Sequence, residues 1–447
     1  MRTRPSIVVF VLATTALAAG VQAVAAQDLV HQHRERAPSY EGPPLSVGEA
    51  IAEAIESHPD LASLRAQLPV MRARPAQERA LAPPMLEGAI WQWPINTVNP
   101  WNANMFMLMM SQEIPGRGKR DLRAAVAEKD IALAESDVTI RERQIANEVR
   151  QAYATLFIAR KAIDVHFASI DLLRQMADAA QAKYTTGRIS QQDVLKPVLE
   201  LSKHHSEILM FDEQANLATA RLNILRSRPM ESPIGPLAAP DEQLLVTASA
   251  DLQRLAIDHQ PQLRKARLEV ERAEAELASA RREYKPDFTV QGGYLVMPNQ
   301  TDALLAQVGV TWPKAPWSRR KIDARVAEQS AAVEAARSRE RALENAVRLG
   351  VHEAYVRAMF AQERAALIRT TILPQSQQTL DVSRVAYQAD RVDFQTIIDN
   401  QRTLLDAQLD YYRALSEFEQ AIADLERTIG TDLPMDARRP AVQTGGN

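Results

Sequence analysis

Four methionines, Met105, Met107, Met109 and Met110, crowd one short stretch of the chain. Thioether sulfur is a ligand for soft ions such as Cu(I), yet methionine is equally an ordinary apolar filler. His204 and His205 are adjacent, so on a helix they point apart. With no histidine at i+4 they make a poor metal pair. Solvated positions are expected for both, and for His31 and His33 near the N-terminus. The segment "PGRGKR" (115–120) contains a Gly-Lys step, but a phosphate loop needs Gly five residues earlier and Ser or Thr afterwards. Glu113 and Arg120 occupy those places. Cysteine is absent, which excludes a disulfide framework, a thiolate metal site and a Cys nucleophile. No nucleophile, acid/base pair or metal cluster assembles, so the expectation is a protein that is not an enzyme and has no cofactor or resident metal.

The chain has 447 residues and a net charge of −3, and nothing in that balance argues for nucleic acid as a partner. Gly is scarce, while Ala, Leu, Arg, Glu and Gln dominate, a bias toward long helices. Residues 1–26 read as a signal peptide. Arg2 and Arg4 precede the apolar run "SIVVFVLATTALAAGV", and "AVAAQ" offers cleavage near Ala25 or Ala26. Residues 27–44 follow as a leader. Without a cysteine at the cleavage site the mature chain is not a diacylated lipoprotein. Beyond the signal no run of about 18 apolar residues exists. What remains is a soluble exported protein or a β-barrel.

The elements that would hold any site come from an internal repeat at an offset of about 200 residues. "SHPDL" (57–61) echoes "HQPQL" (259–263), and "RQAYATLF" (150–157) echoes "HEAYVRAM" (352–359). "QEIPGRGKRDLRAAVAE" (112–128) echoes "VTWPKAPWSRRKIDARVAE" (310–328), and "YTTGRISQQDVL" (184–195) echoes "YQADRVDFQTII" (387–398). Each half predicts a helix, two strands, a long helix and a return helix. The first repeat, 45–228, holds a helix near 50–80, strands 86–95 and 104–114, a long helix 119–186 and a return helix 190–228. A linker or equatorial segment spans 229–249. The second repeat, 250–430, holds a helix 250–283, strands 287–296 and 304–312, a long helix 317–388 and a return helix 392–429. A flexible tail, 431–447, ends the chain. At 1.5 Å per residue each long helix reaches roughly 100 Å, too long for a compact domain. Pro69 and Pro75 are expected to break the first helix, and Gly350 and Pro374 to bend or loosen the later long one.

The strands alternate. Phe106, Leu108 and Met110 share one face, and Met107, Met109, Ser111 and Glu113 the other. Ala306, Val308 and Val310 alternate with Leu305, Gln307, Gly309 and Thr311. One face is apolar and one turns polar, as for a strand between lipid and water. Trp91, Trp93, Trp101, Trp312 and Trp317 sit in or beside the hairpins, as interfacial residues would. A small soluble sheet with one buried face would also alternate. If the strands span a membrane, four of them cannot close a barrel, since small barrels need about eight, so several copies must pool their strands.

In this order of elements, in "QEIPGRGKR" leading from strand to long helix, in the two turns and in "AIADLERTIG" (421–430), the chain resembles the TolC-like outer-membrane factors. The resemblance covers about residues 45–430. It implies a mainly α fold with a small transmembrane β part, built of duplicated helix–β-hairpin–helix units. It further implies a homotrimer whose copies give four strands each to a twelve-stranded β-barrel in outer-membrane lipid, continued by a long periplasmic α-helical barrel. The implied role is a passive exit duct of a tripartite efflux system, exporting heavy-metal cations or drugs. Its partners would be a periplasmic adaptor (membrane fusion protein) and an inner-membrane pump of the RND type. The corner segment is closer in style to the heavy-metal branch. The alternative is a periplasmic adaptor or helical scaffold, although an adaptor carries one central hairpin rather than a duplicated plan.

The resemblance assigns gate or selectivity roles to Asp399, Asp393 and Asp390, with Asp399 matching the family's tip carboxylate and Thr396 standing where a second one is usual. It assigns adaptor contact to the tips at Tyr184, Gly187, Arg188, Asp193, Tyr387 and Arg391. Pro115, Gly116, Gly118, Lys119, Arg120 and Pro313 form the corners from barrel to helix, with Lys119 and Arg120 expected at the lipid headgroups. A helix-cap role is the alternative for the tip carboxylates.

Overall fold

A computed structural model describes residues 39–187, 189–239, 243–298, 300–389, 391–433 and 438–440. The signal peptide, most of the leader, Arg188 and Asp390 lie outside these residues. The elements of the first repeat are α1 (Val47–Ser57), α2 (Pro59–Arg79), β1 (Met85–Trp91), β2 (Met105–Ile114), α3 (Lys119–Thr185) and α4 (Gln191–Leu225). A short strand, β3 (Gln243–Leu245), precedes the second repeat. That repeat comprises α5 (Ser249–His259), α6 (Pro261–Arg282), β4 (Phe288–Val296), β5 (Ala303–Val310), α7 (Pro316–Leu367), α8 (Leu373–Gln388) and α9 (Phe394–Ile429). A last strand, β6 (Arg438–Pro440), pairs antiparallel with β3.

Two expected helices are each split, and at equivalent places. His58 and Gln260 are extended, Pro59 and Pro261 open the next helix, and each preceding side chain accepts a hydrogen bond from the backbone two residues on. Proline suits the first helical position because its missing N–H has no partner there anyway. The break expected at Pro69 and Pro75 does not occur, since α2 runs through both. The later long helix is interrupted, but not at Gly350, which lies inside α7. A π-helical segment, Ile368–Ile372, separates α7 from α8. Pro374 lies two residues beyond it, and a wider turn relieves the clash of the proline ring with the preceding turn. Of the tail, residues 431–433 and 438–440 are described, the last three as β6. β1 stops at Trp91 rather than 95, where Gln92 turns to a positive φ of 53°.

The strands form one antiparallel sheet in the order β1-β2-β4-β5, so the two repeats meet at β2 and β4. Among the described residues no buried apolar cluster includes a strand of this sheet. The helices run away from it. α3 has 67 residues and packs on α2, α4, α6 and α9. Its far half buries Leu156, Ile163, Ile170 and Leu173 at 1% exposure or less. The half nearer the sheet buries small residues such as Ala124 and Ala127 instead.

Ion pairs set the register of that nearer half. Arg65, Arg72 and Arg79 on α2 meet Glu142, Glu135 and Glu128 on α3 at 2.7, 2.9 and 2.6 Å. The rungs step by seven residues on both helices, as an antiparallel coiled coil requires. Lys265 with Asp137 and Arg272 with Asp130, both at 2.6 Å, repeat the spacing between α6 and α3. Each exposed pair is worth only about 0–1 kcal/mol, so the ladders specify register more than they stabilise.

Because Pro69 is exposed inside α2, Pro69→Ala restores a helical N–H and removes a ring clash. Stability should rise by about 1–3 kcal/mol, read as a higher midpoint of thermal unfolding. A lower midpoint would show that the proline sets a bend that α3 needs.

Candidate functional site

The corner from β2 to α3 is built around a residue that the corner motif itself does not contain, Asp287. One carboxylate oxygen accepts the Gly116 N–H at 2.7 Å, and the other accepts Lys119 Nζ at 2.8 Å. Its own N–H donates to Thr311 Oγ1 at 2.7 Å, and its carbonyl accepts the Thr311 N–H at 2.9 Å. Asp287 thus ties together the end of β2, the start of α3, the start of β4 and the end of β5. Partial burial opposes its ionisation, but the bonds from Lys119 and Gly116 outweigh this and hold its pKa below the ordinary carboxylate value.

Gly116 is required by space, because a Cβ there would meet the Pro286 carbonyl oxygen at 2.5 Å. Gly118 is required by conformation, with φ +84° at the N-cap of α3. Pro115 comes directly after the last residue of β2. At the second corner, which lacks glycines, the Ser318 hydroxyl donates to the Pro313 carbonyl at 3.1 Å and α7 opens on Pro316.

Lys119 and Arg120 do not extend outward as expected. Lys119 is 2% exposed and also pairs with Glu283 at 3.2 Å. Arg120 donates to the Arg79 carbonyl at 2.6 Å and so caps the C-terminus of α2. Charge inside this chain outcompetes the headgroup role, since a buried ammonium must be paired.

The sheet register settles which strand residues share a face. Phe106, Leu108, Met110, Val290, Tyr294, Leu304, Val308 and Val310 fall together, and all but the intermediate Phe106 are exposed. Met105, Met107, Met109, Ser111, Glu113, Gln291 and Gln307 fall on the other. Trp91, Trp93 and Trp101 lie toward the turn end of the first hairpin, and Trp312 and Trp317 at the helix end of the second.

At the far end the two tips pack on each other. Lys183 Nζ donates to the Tyr387 carbonyl at 3.0 Å and lies 4.0 Å from the centre of its ring. Phe394, Ile397, Ile398, Leu380, Leu173 and Met176 form the core beneath, with Tyr387 packed on Phe394. Tyr184 is exposed, and Gly187 turns with φ +69° into open space, so conformation alone requires glycine there. Asp193 and Ser190 form a reciprocal capping box on α4. The backbone N–H of Arg391 donates to the Ala386 carbonyl at 2.9 Å, closing the second tip.

The predicted gate carboxylates are not equivalent. Asp393 caps α9, accepting the Thr396 N–H at 3.0 Å. Its bonds from the Thr396 hydroxyl and N–H lower its pKa. Asp399 is exposed one turn further on. Its Oδ1 accepts Gln395 Nε2 at 2.8 Å and lies 3.7 Å from Arg402 Nη1. Arg402 also forks onto Glu200 of α4, which takes Lys203 Nζ at 2.9 Å. Sequence reading missed Glu200, whose signal was a carboxylate set among apolar neighbours in "VLELS".

His204 is not solvated. It is 7% exposed, and its Nδ1 lies 2.8 Å from Nδ1 of His166, itself 3% exposed and packed against Phe211. Burial pushes the His166 pKa down to about 4, aided by His204 and Arg413, and burial likewise lowers that of His204. His205 lies against the Leu201 carbonyl at 2.7 Å. Among the described residues no cluster of three His, Cys, Asp or Glu side chains could hold a metal.

Lys119→Met should cost about 2–4 kcal/mol, since it removes the buried cation between Glu283 and Asp287 and leaves only the more exposed Arg123, 3.5 Å from Glu283. The readout is the unfolding midpoint, with partial recovery on adding Asp287→Asn; an unchanged midpoint would mean that the pairing is incidental. For the histidines the folded state takes up protons less readily than the unfolded one. Stability therefore falls as pH drops from about 6.5 toward 4, by up to about 3 kcal/mol for His166. His166→Phe should flatten that part of the profile; an unaltered slope would place the titration elsewhere.

Residues 50–226 match the family model "Outer membrane efflux protein". Over 359 residues, 80% of this chain and 83% of the relative, the chain is 23% identical to the cobalt-zinc-cadmium resistance protein CzcC of Cupriavidus metallidurans. The outer-membrane channel OprN superposes with a TM-score of 0.72 at 16% identity, over 89% of this chain and 95% of that one. CusC gives 0.73 at 14%, over 88% and 95%. The outer membrane protein VceC of Vibrio cholerae gives 0.72 at 16%, over 86% and 96%. The family pattern lies on the first repeat, and the fold shared with these solved outer-membrane channels extends through the second.

Proposed function

We propose that three copies of this chain form a passive outer-membrane exit duct of a tripartite efflux system, moving small solutes outward without chemistry of its own. The observation that carries this is the sheet. Among the described residues β1 and β5 are its edge strands, and one face carries exposed apolar side chains. An open sheet edge in lipid leaves backbone groups unsatisfied at several kcal/mol each. Pairing β5 of one copy with β1 of the next removes both edges, and three copies give twelve strands. Tryptophans at both ends of the hairpins suit the two interfaces. No described helix is long and apolar enough to cross a membrane, so a spanning role falls to the strands.

In this assembly the helices continue the barrel into the periplasm, and the paired tips meet a periplasmic adaptor beneath which an RND-type pump supplies the energy. Tyr184, Gly187, Arg188, Asp193, Tyr387 and Arg391 are the proposed contacts. Cobalt-zinc-cadmium resistance in the relative's name favours the heavy-metal branch for the cargo. Asp399 is the proposed gate carboxylate, repeated around the threefold axis. Its nearby Arg402 softens the charge of such a ring, so selectivity for cations should be modest. Asp393 serves its own helix first.

The test is native mass of the detergent-extracted protein together with conductance in a planar bilayer. A trimer giving discrete channels, with cation preference reduced in Asp399→Ala, is the expected result. A monomer without conductance would return the chain to an adaptor or scaffold role, and channels indifferent to Asp399→Ala would remove that residue from the gate.

A further inference from the structure

The register of β2 has a chemical content that a duct does not need. Met105, Met107 and Met109 occupy three successive positions on one face, opposite Trp91, Ala89 and Glu87 of β1. On the other side Met107 faces Leu295 and Met109 faces Gly293. The Met109 side chain folds over that glycine, where a Cβ would meet its Cγ at 2.9 Å. Its sulfur accepts Gln291 Nε2 at 3.3 Å. All three methionines are half-buried, and among the described residues none belongs to a buried cluster. Methionine as core filler therefore has no core here to fill, and a strand that merely wanted apolar residues would favour valine or isoleucine.

We propose that these thioethers form a weak, exchangeable site for a soft monovalent cation, Cu(I) or Ag(I), on the inner wall of the barrel. The proposal rests on the duct reading, because only an inner wall brings this face to the cargo. Residues two apart on a strand rise about 6.7 Å, a span that two flexible side chains with mobile sulfurs can close around one ion. Neutral thioether selects soft ions over hydrated zinc or cobalt. Lacking charge it also holds them loosely, as passage requires. Glu87, across from Met109, supplies the only carboxylate directly paired with the three methionines. Met110 points to the opposite, apolar face and takes no part.

The probe is silver nitrate in chloride-free buffer, with bound metal measured by equilibrium dialysis on the full-length protein in detergent. Replacing Met105, Met107 and Met109 together by leucine should weaken silver binding at this site about tenfold. Met110→Leu should leave it unchanged, and zinc uptake should be the same in all three proteins. Silver binding that survives the triple substitution, or falls equally in Met110→Leu, overturns the proposal. The duct reading is tested separately. The chain has no cysteine, so Met107→Cys and Leu108→Cys each carry a single thiol. In membranes a water-soluble maleimide should label Met107→Cys and spare Leu108→Cys. The reverse pattern would overturn the inner-wall placement whatever the silver titration shows.

Discussion

One carboxylate joins the two kinds of structure in this chain. A sheet and a long helix obey different periods and different hydrogen-bonding rules, so the place where one becomes the other needs its own chemistry. The Asp287 carboxylate holds the N–H of Gly116 and the ammonium of Lys119, while its backbone bonds the N–H and the hydroxyl of Thr311. The residues it links come from both repeats. The duplicated hairpins therefore meet as one sheet, with two adjacent helices leaving at a fixed direction. Lys119 is buried because it serves this junction, and Arg120 turns back to cap the end of α2.

Much of this was legible in the residues. The repeat is visible because both halves keep the same landmarks: a proline after His58 and Gln260, an aromatic pivot at Tyr153 and Tyr355, and a turn after Tyr184 and Tyr387. The strand faces follow from period two alone. What was not legible is long-range partnership. Nothing near Lys119 in sequence announces a carboxylate 168 residues away. Pro69 and Pro75 argued for a break, yet neighbouring α3 holds α2 as one helix through its ladder of arginines and glutamates. Tertiary contact overrode a local preference.

The chemistry-bearing residues divide in the same way. His204 looked solvated because it and His205 point apart with no histidine at i+4, but its partner His166 lies on another helix and the pair is sealed by Phe211. Asp399 was expected as a gate carboxylate or a helix cap, and it belongs to a chain of alternating signs running through Arg402 and Glu200 to Lys203. Both partnerships come from helix packing, which brings together residues that no spacing rule connects. The methionines are the opposite case, since alternation along a single strand already places three of them together.

The seven-residue ladders between α2, α3 and α6 have a mechanical consequence. A helix that slides along its neighbour loses every rung together and recovers them only after a full heptad, roughly 10 Å of travel. Small slides near the sheet are therefore resisted as a group, and this part of the chain behaves as a stiff collar. Further along α3 the rungs give way to aliphatic packing, which has no such periodic lock. Bending and twisting of the helices should begin where the arginines stop.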